Sequence, residues 1–325
     1  MKIAIVGSSG HHHQLLEAMK ERSDLDVVAL APGCPQEDMR GLCTRLPEAK
    51  FFEDWRTMLD AVKPDCAVIN PWYCYNPTVS EECLTRGIHA YSEKPLATEW
   101  DALLSLKRTW EQGKADLGAM FNLRYCAWFT TVRELVGAGE IGEVRMLHGQ
   151  KSYKMGVRPS YYNDRKLYGG ILPWVGIHAM DWVLQLGGKP VSVRAIQNMH
   201  CNNGQGELET AGFMLAELEN GVIGTVSADY FRPDGSARHD DDRIRVTGTK
   251  GMIEAFDGRV FLENDKPKRE IALLPGKNAF LAFADAIGTE EARRQAFDAL
   301  AVTRLALAAR DAGDSGNTVS LSGNW

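Results

Sequence analysis

From Lys2 to about residue 123, short apolar runs and helix-like segments take turns without interruption: KIAIV then HQLLEAMKE, DVVALA then WRTMLDAV, CAVI then PTVSEECLTRG, HAYS then TEWDALLSLKRTWEQG, and last LGAMF. Strands separated by helix-length segments cannot pair as tight hairpins, so each helix carries the chain back and the strands run parallel. Such a sheet is covered by helices on both faces, which predicts a doubly wound α/β domain over residues 1–123. Thr98 with Asp101 three residues later signals a helix start, and Gly113 a stop.

The pattern changes from residue 124. YCAWFTTVRELVGAGEIG reads as one helix leading out of the first domain. FMLAELENGVIGTVSADY holds two strand-like runs about Asn220-Gly221, a dipeptide that tolerates the positive φ angles of a type I′ hairpin turn. RIRVTGTKGMIEAF and GRVFLEN continue the strands, and FLAFADAIGTEEARRQAFDALAVTRLALAARDAG is helical. Residues 124–325 are therefore expected to form an α+β domain with a large, mostly antiparallel sheet and helices on one side.

With 325 residues, 44% hydrophobic and 25% charged, the chain suits two globular domains with a core each. A net charge of -6 and the absence of a Lys/Arg stripe argue against a nucleic-acid partner. Seven scattered cysteines without a CxxC pair suggest neither a disulfide framework nor a zinc knuckle and fit a reducing compartment. The apolar run after Lys2 reaches a glycine turn too soon for a signal peptide, and no stretch nears the ~18 apolar residues of a membrane span. The expectation is a soluble, cytoplasmic protein that works on a small molecule.

Gly7, Ser8, Ser9 and Gly10 lie between the first strand and the first helix, with His11 and His12 following. Free backbone N–H groups and the helix dipole make such a turn a seat for an anion such as a pyrophosphate. A G-x-G-x-x-G fingerprint would need glycine at Ser9 and His12, so only Gly7 matches, with Gly10 as an extra flexible point. His12 is bulky where the helix should approach the strand, which predicts a tilted helix or a narrowed phosphate seat; a plain strand-to-helix turn is the alternative. The three adjacent histidines do not face one way on a helix and no further ligands follow at chelating spacing, so no metal is expected. The second strand ends VVALAPGCPQED, where Ala31, Pro32 and Gly33 offer no carboxylate to an adenosine ribose. Glu37 or Asp38 reaching in from the loop would serve NAD and Arg40 would serve a 2′-phosphate, so the residues leave NAD or NADP undetermined.

In INPWYCYNPTVSEECLTRGIHAYSEKPLATEW, Asn70-Pro71 closes a strand, a helix follows, and G-I-H-A-Y leads into Glu93-Lys94-Pro95. MFNLRY at residues 120 to 125, GEIGEV at 139 to 144, GG…GIHAMD at 169 to 181 and VTGTKGMIE at 246 to 254 follow in order. This series, which spans nearly the whole chain, resembles the Gfo/Idh/MocA family of nicotinamide-dependent sugar and polyol oxidoreductases. The resemblance implies an N-terminal Rossmann domain whose dinucleotide meets Gly7, Ser8, Ser9, Gly10, His11, His12, Asn70, Pro71, Trp72, Glu93 and Lys94. In that reading Glu93 contacts the nicotinamide ribose and Lys94 faces the reacting carbinol. The residues support it independently, because Pro95 biases Lys94 toward extended geometry at the carboxyl end of a parallel strand, where open sheets bind ligands. An ammonium there can stabilise a developing alkoxide. The alternative is that Glu-Lys-Pro only punctuates a strand end. The resemblance also implies a homo-oligomer, dimer or tetramer, formed through the second-domain sheet.

In a helix starting near Pro173, Trp174, His178 and Asp181 share roughly one face, and Gly176 suggests something packed close to the backbone. The family pattern is G-G-x-x-x-D-x-G-x-H-x-x-D, with the histidine as general base beside the earlier aspartate. This chain keeps His178 and Asp181 and carries Trp174 in place of that aspartate. An indole cannot hold a proton on the imidazole as a carboxylate would, so His178 is expected to be competent as a base and weaker as an acid. Trp174 would offer a stacking surface to a sugar ring or an aromatic substrate; a buried core histidine is the bland alternative. Asn122 and Arg124 stand near the substrate by resemblance, Arg124 either clamping an anionic group or pairing with the linking helix. Tyr161, Tyr162 and Lys166 fall in an expected substrate-covering loop, and ARHDDDR at residues 237 to 243 reads as a solvated acidic turn. The leading expectation is hydride exchange between a nicotinamide and a secondary alcohol or ketone. A catalytically silent dinucleotide-binding sensor is favoured by the degraded turn and Trp174, and transient oxidation that cleaves a glycoside stands third.

Overall fold

The computed structural model describes residues 1–323. The chain divides into two compact units: one comprises Met1–Asn122, Lys166–Gly169 and Asn278–Thr303, the other Leu123–Arg165, Gly170–Lys277 and the segment from Arg304. Among the described residues no helix is long and apolar enough to cross a membrane.

In the first unit, β1 (Lys2–Val6), α1 (His13–Glu21), β2 (Asp26–Ala31), α2 (Arg40–Arg45), β3 (Lys50–Phe51), α3 (Trp55–Val62), β4 (Cys66–Ile69), α4 (Asn76–Thr85), β5 (His89–Ser92), α5 (Trp100–Gln112) and β6 (Leu117–Ala119) alternate as the sequence predicts. The strands form one six-stranded sheet in the order β3-β2-β1-β4-β5-β6, all pairs parallel. Strand order reverses between β1 and β4, the place where doubly wound sheets open a ligand crevice. β1 and β4 are fully apolar and buried, apart from Lys2 at the entrance. The core also takes in residues from much later in the chain. Tyr91 of β5 packs edge-on against Phe280 at 5.3 Å and stacks on Phe283 at 5.2 Å, both from α9 (Ala279–Ala286). Thr98 does not cap α5: Glu99 holds that position without a capping bond from its side chain, while the buried Thr98 hydroxyl donates to the Lys166 carbonyl at 3.3 Å.

The second unit starts with α6 (Ala127–Gly137), shorter than the sequence suggests because Gly139 and Gly142 turn left-handed after it. β7 (Val144–Tyr153), α7 (Arg165–Tyr168), α8 (Ile177–Gly187), β8 (Pro190–Asn198), β9 (Ala211–Leu218), β10 (Ile223–Asp229), β11 (Asp240–Gly248), β12 (Met252–Phe256), β13 (Arg259–Glu263) and β14 (Arg269–Ile271) follow, and after α9 come α10 (Glu290–Ser315) and β15 (Val319–Ser320). Nine strands pair in the order β14-β13-β12-β11-β7-β10-β9-β8-β15, antiparallel except for β10 beside β7. Asn220 and Gly221, between β9 and β10, both have positive φ (64° and 71°), as the hairpin reading requires.

Helix α8 lies on one face of this sheet. Glycines let it close on the strands: an added Cβ would sit 2.5 Å from Val183 Cγ1 at Gly224 of β10 and 3.0 Å from the Ala179 Cβ at Gly149 of β7. Gly176 is not such a point, since a Cβ there would meet only ordinary contacts, Met180 Cε at 3.4 Å first. The segment ARHDDDR is not a solvated turn either. Its aspartates open β11, and Asp242 accepts a hydrogen bond from the buried Lys151 ammonium on β7.

Candidate functional site

In the first unit the turn after β1 meets the end of β4. Gly7 has φ +86°, and a Cβ there would lie 2.4 Å from the Pro71 nitrogen. A Cβ on Gly10 would lie 2.4 Å from Glu93 Oε2 and 2.7 Å from Asn70 Oδ1. The close approach that the fingerprint assigns to a third glycine is thus made two residues earlier, and His12 takes the N-cap position of α1. Burial, with help from Arg45 and the adjacent imidazoles, holds His12 below its ordinary pKa.

The turn suits a diphosphate. No side chain caps α1 and no acidic residue stands in its first turn, while the Glu93 carboxylate takes the His11 amide just before it. Asn70 is fully buried, and among the described residues neither of its amide atoms has a hydrogen-bond partner. Buried amides are nearly always paired, so a ligand is the expected partner here.

Glu93 and Lys94, both fully buried, follow β5 directly. Glu93 Oε2 accepts from the His11 amide and meets its Nδ1, both at 2.6 Å, and Oε1 accepts from the Lys94 amide at 2.9 Å. Burial pushes this carboxyl up, but the His11 ring, its hydrogen bond and the Lys94 charge outweigh that and hold it below its ordinary value. Asn76 Nδ2 donates to the Glu93 and Pro95 carbonyls, each at 2.9 Å, and so ties down the backbone on both sides of Lys94. The sequence reading missed Asn76. Its signal was an Asn-Pro pair opening a helix, where an amide is free to leave the helix and hold a neighbouring strand end.

The loop after β2 supplies the carboxylate that the strand end lacks. Glu37 Oε1 accepts from the Ser8 amide at 2.8 Å and the Ser9 hydroxyl at 2.7 Å, and Oε2 accepts from the Gly33 amide at 2.9 Å. Arg40 instead forks onto Asp38, with Nη2 to Oδ2 at 2.6 Å. A cavity of about 930 Å³ opens beside this loop, bounded also by Trp55, Tyr75 and Val79. Trp72 follows Pro71 and lies 6.5 Å from the Tyr75 ring.

The remaining predicted residues are spread from the end of the first unit into the second. Asn122 opens a 3-10 turn, Asn122–Tyr125, that also carries Arg124. The Arg124 guanidinium grips Asp181 with two bonds, Nη2 to Oδ1 at 2.5 Å and Nε to Oδ2 at 3.1 Å, with both side chains buried. Of the two roles open to Arg124, ion pairing is the one seen, with α8 as its partner. The chain before α8 is not a plain helix: Leu172–Gly176 forms a π-turn that carries Trp174, and His178 follows in α8 at 2% exposure. Trp174 is itself 7% exposed and packs edge-on against Tyr162 at 5.9 Å, and Tyr162 against Tyr161 at 4.5 Å. The expected covering loop is a pair of short helices, Ser160–Asn163 and α7.

Comparison with known proteins agrees with these two halves. Residues 1–119 match the family described as "Oxidoreductase family, NAD-binding Rossmann fold", and residues 129–254 match the "GFO/IDH/MocA C-terminal domain". The solved structure of a Thermotoga maritima protein with an oxidoreductase assignment is 39% identical, covers 99% of this chain and 100% of that one, and superposes with a TM-score of 0.93. The inositol 2-dehydrogenase of Salmonella typhimurium is 24% identical over 259 residues, 78% of this chain and 73% of the relative. The D-glucoside 3-dehydrogenase of Escherichia coli is 26% identical over 214 residues, 63% of this chain and 60% of the relative. The chain belongs to the Gfo/Idh/MocA family and is an oxidoreductase that uses a nicotinamide dinucleotide, NAD or NADP.

Proposed function

We propose that this enzyme oxidises a secondary alcohol of a sugar, polyol or related small molecule, or reduces the matching ketone. One observation carries the reading: Glu93 reaches the glycine turn while the next residue, Lys94, is buried and pinned at the end of β5. The turn takes the diphosphate on the α1 N-terminus, with the Asn70 amide beside it. The nicotinamide, when bound, supplies the hydride acceptor or donor. Lys94 donates a hydrogen bond to the carbinol oxygen and stabilises the charge that develops there. His178 takes the hydroxyl proton in oxidation and returns it in reduction. Two named relatives, the inositol 2- and D-glucoside 3-dehydrogenases, act on ring secondary alcohols, which supports this substrate class.

The test follows the absorbance of the reduced cofactor across inositols, aldoses and glucosides. Lys94→Ala is expected to lower kcat at least about 100-fold, as removal of one oxyanion donor does, with dinucleotide Kd within about threefold. Absence of dinucleotide binding, or full activity in Lys94→Ala, removes the reading. Cofactor binding without turnover on any substrate would instead favour the sensor.

The open face of the second-unit sheet supports a homo-oligomer. Phe213, Leu215 and Ile223 on adjacent strands are 41%, 43% and 45% exposed, an apolar stripe that a second copy would cover. Sedimentation should give a dimer or tetramer, and Leu215→Glu should shift it toward monomer.

A further inference from the structure

We propose that the substrate carries a carboxylate and that Arg158 binds it. The inference rests on the alcohol reading above, with Trp174 beside the substrate, and narrows the substrate class to sugar acids.

Arg158 lies on the loop after β7, between the exposed Val157 and Pro159, yet is itself half-buried. Its place is fixed from three sides. The Arg158 amide donates to Gln205 Oε1 at 2.9 Å, Nη2 donates to the Lys154 carbonyl at 2.7 Å, and the guanidinium lies over the ring of the buried Tyr230 at 4.4 Å. Nothing in this setting answers the charge. Among the described residues no carboxylate pairs with Arg158, and its Nε is buried without a hydrogen-bond partner. A surface arginine normally turns its head to water, so one drawn onto a buried ring without a counter-charge calls for a ligand that brings one.

The same corner of the second unit reaches Trp174. Tyr153 ends β7, Tyr230 follows the parallel β10 and His239 precedes β11, so three rings gather at one end of three adjacent strands. Tyr153 stacks on His239 at 4.9 Å and lies 6.3 Å from Tyr230. Burial pushes the Tyr230 hydroxyl above its ordinary pKa, and the Arg158 charge and the nearby Trp174 indole oppose that rise. The corner is also positively charged. Burial and then the Arg158 guanidinium hold His239 below its ordinary pKa, with Lys151 and Lys154 acting the same way and Asp240 against them. Lys151 is answered by Asp242, and Lys154 gives its ammonium to the carbonyls of Asp234 and Ser236, which leaves Arg158 to meet a ligand charge. One planar fork with one charge matches a carboxylate, and an indole at position 174 brings no negative charge to repel an acid.

The test compares matched pairs that differ only in a carboxylate against a hydroxymethyl group: D-glucuronate with D-glucose, D-galacturonate with D-galactose, and D-gluconate with D-glucitol. Each is given to the intact protein with saturating dinucleotide, and the reduced cofactor is followed. The acid of a reacting pair is expected to show kcat/KM at least about tenfold above its neutral partner, the worth of one charge-assisted hydrogen bond. Arg158→Gln should narrow that ratio to within about threefold, through KM rather than kcat, and Arg158→Lys, which keeps the charge and loses the fork, should fall between. Thermal melting checks that each variant is folded. A neutral partner that matches or exceeds its acid in every reacting pair overturns the proposal, as does a ratio unmoved in folded Arg158→Gln or a preference for D-glucose 6-phosphate over D-glucuronate. Turnover of no compound at all would strike the alcohol reading itself, so the two failures are distinguishable.

Discussion

Arg124 and Asp181 illustrate how a buried ion pair commits its residues. Both charges are out of water and satisfy each other through two bonds. Removing one partner takes a two-bond counter-charge from the buried other, so Arg124→Ala or Asp181→Ala should cost about 3–5 kcal/mol in urea unfolding, with the double variant losing less than the sum. Glu93 gives a pH-dependent counterpart. Its carboxyl titrates below the ordinary 4.5 in the folded protein, so its contribution is full above that value and drains away as pH falls through the lowered one. Glu93→Gln should therefore be less stable than the unmodified protein at pH 7, by about 2–3 kcal/mol. Denaturation curves should converge in acid; a gap that persists there would contradict the assignment. At this scale legibility tracked distance along the chain. Glu93-Lys94 at a strand end was readable because the motif and its geometry are local. The Arg124–Asp181 pair spans 57 residues, and which of Glu37 and Asp38 reaches the glycine turn depends on a left-handed Gln36 and on amides of another loop, none of which leaves a mark in residue spacing.

Among the elements, β1 through β6 follow the sequence closely, because each strand is a short apolar run with a helix to return it. Helix α8 was harder to read. Its approach is a π-turn, which adds a residue to the turn holding Trp174, and periodicity alone does not foresee it. The glycines that matter for its docking are Gly149 and Gly224 on the strands and Gly187 at the helix end, rather than Gly176. This gives a paired prediction. Gly176 has helical angles and room for a methyl group, so Gly176→Ala should raise stability by about 0.5–1 kcal/mol. Gly149→Val should lower it by about 1–3 kcal/mol by pushing α8 off the sheet. Melting temperatures of the two variants should move in opposite directions.

For the molecule as a whole, chain order and compact units do not coincide. Phe280 and Phe283 belong to the same unit as β1–β6, although about half of the chain intervenes, and α10 changes unit between Thr303 and Arg304. Loss of one buried phenylalanine typically costs about 3–5 kcal/mol, against about 5–15 kcal/mol for a whole domain. A fragment ending at Asn122 lacks both rings and should show no cooperative melt; a sharp transition would count against this account of the core. The same threading limits how such a protein can be recombined. A single splice after Asn122 would inherit the nucleotide-binding strands without the aromatic pair that seals them, so a viable chimera must carry Asn278–Thr303 along with its amino-terminal half.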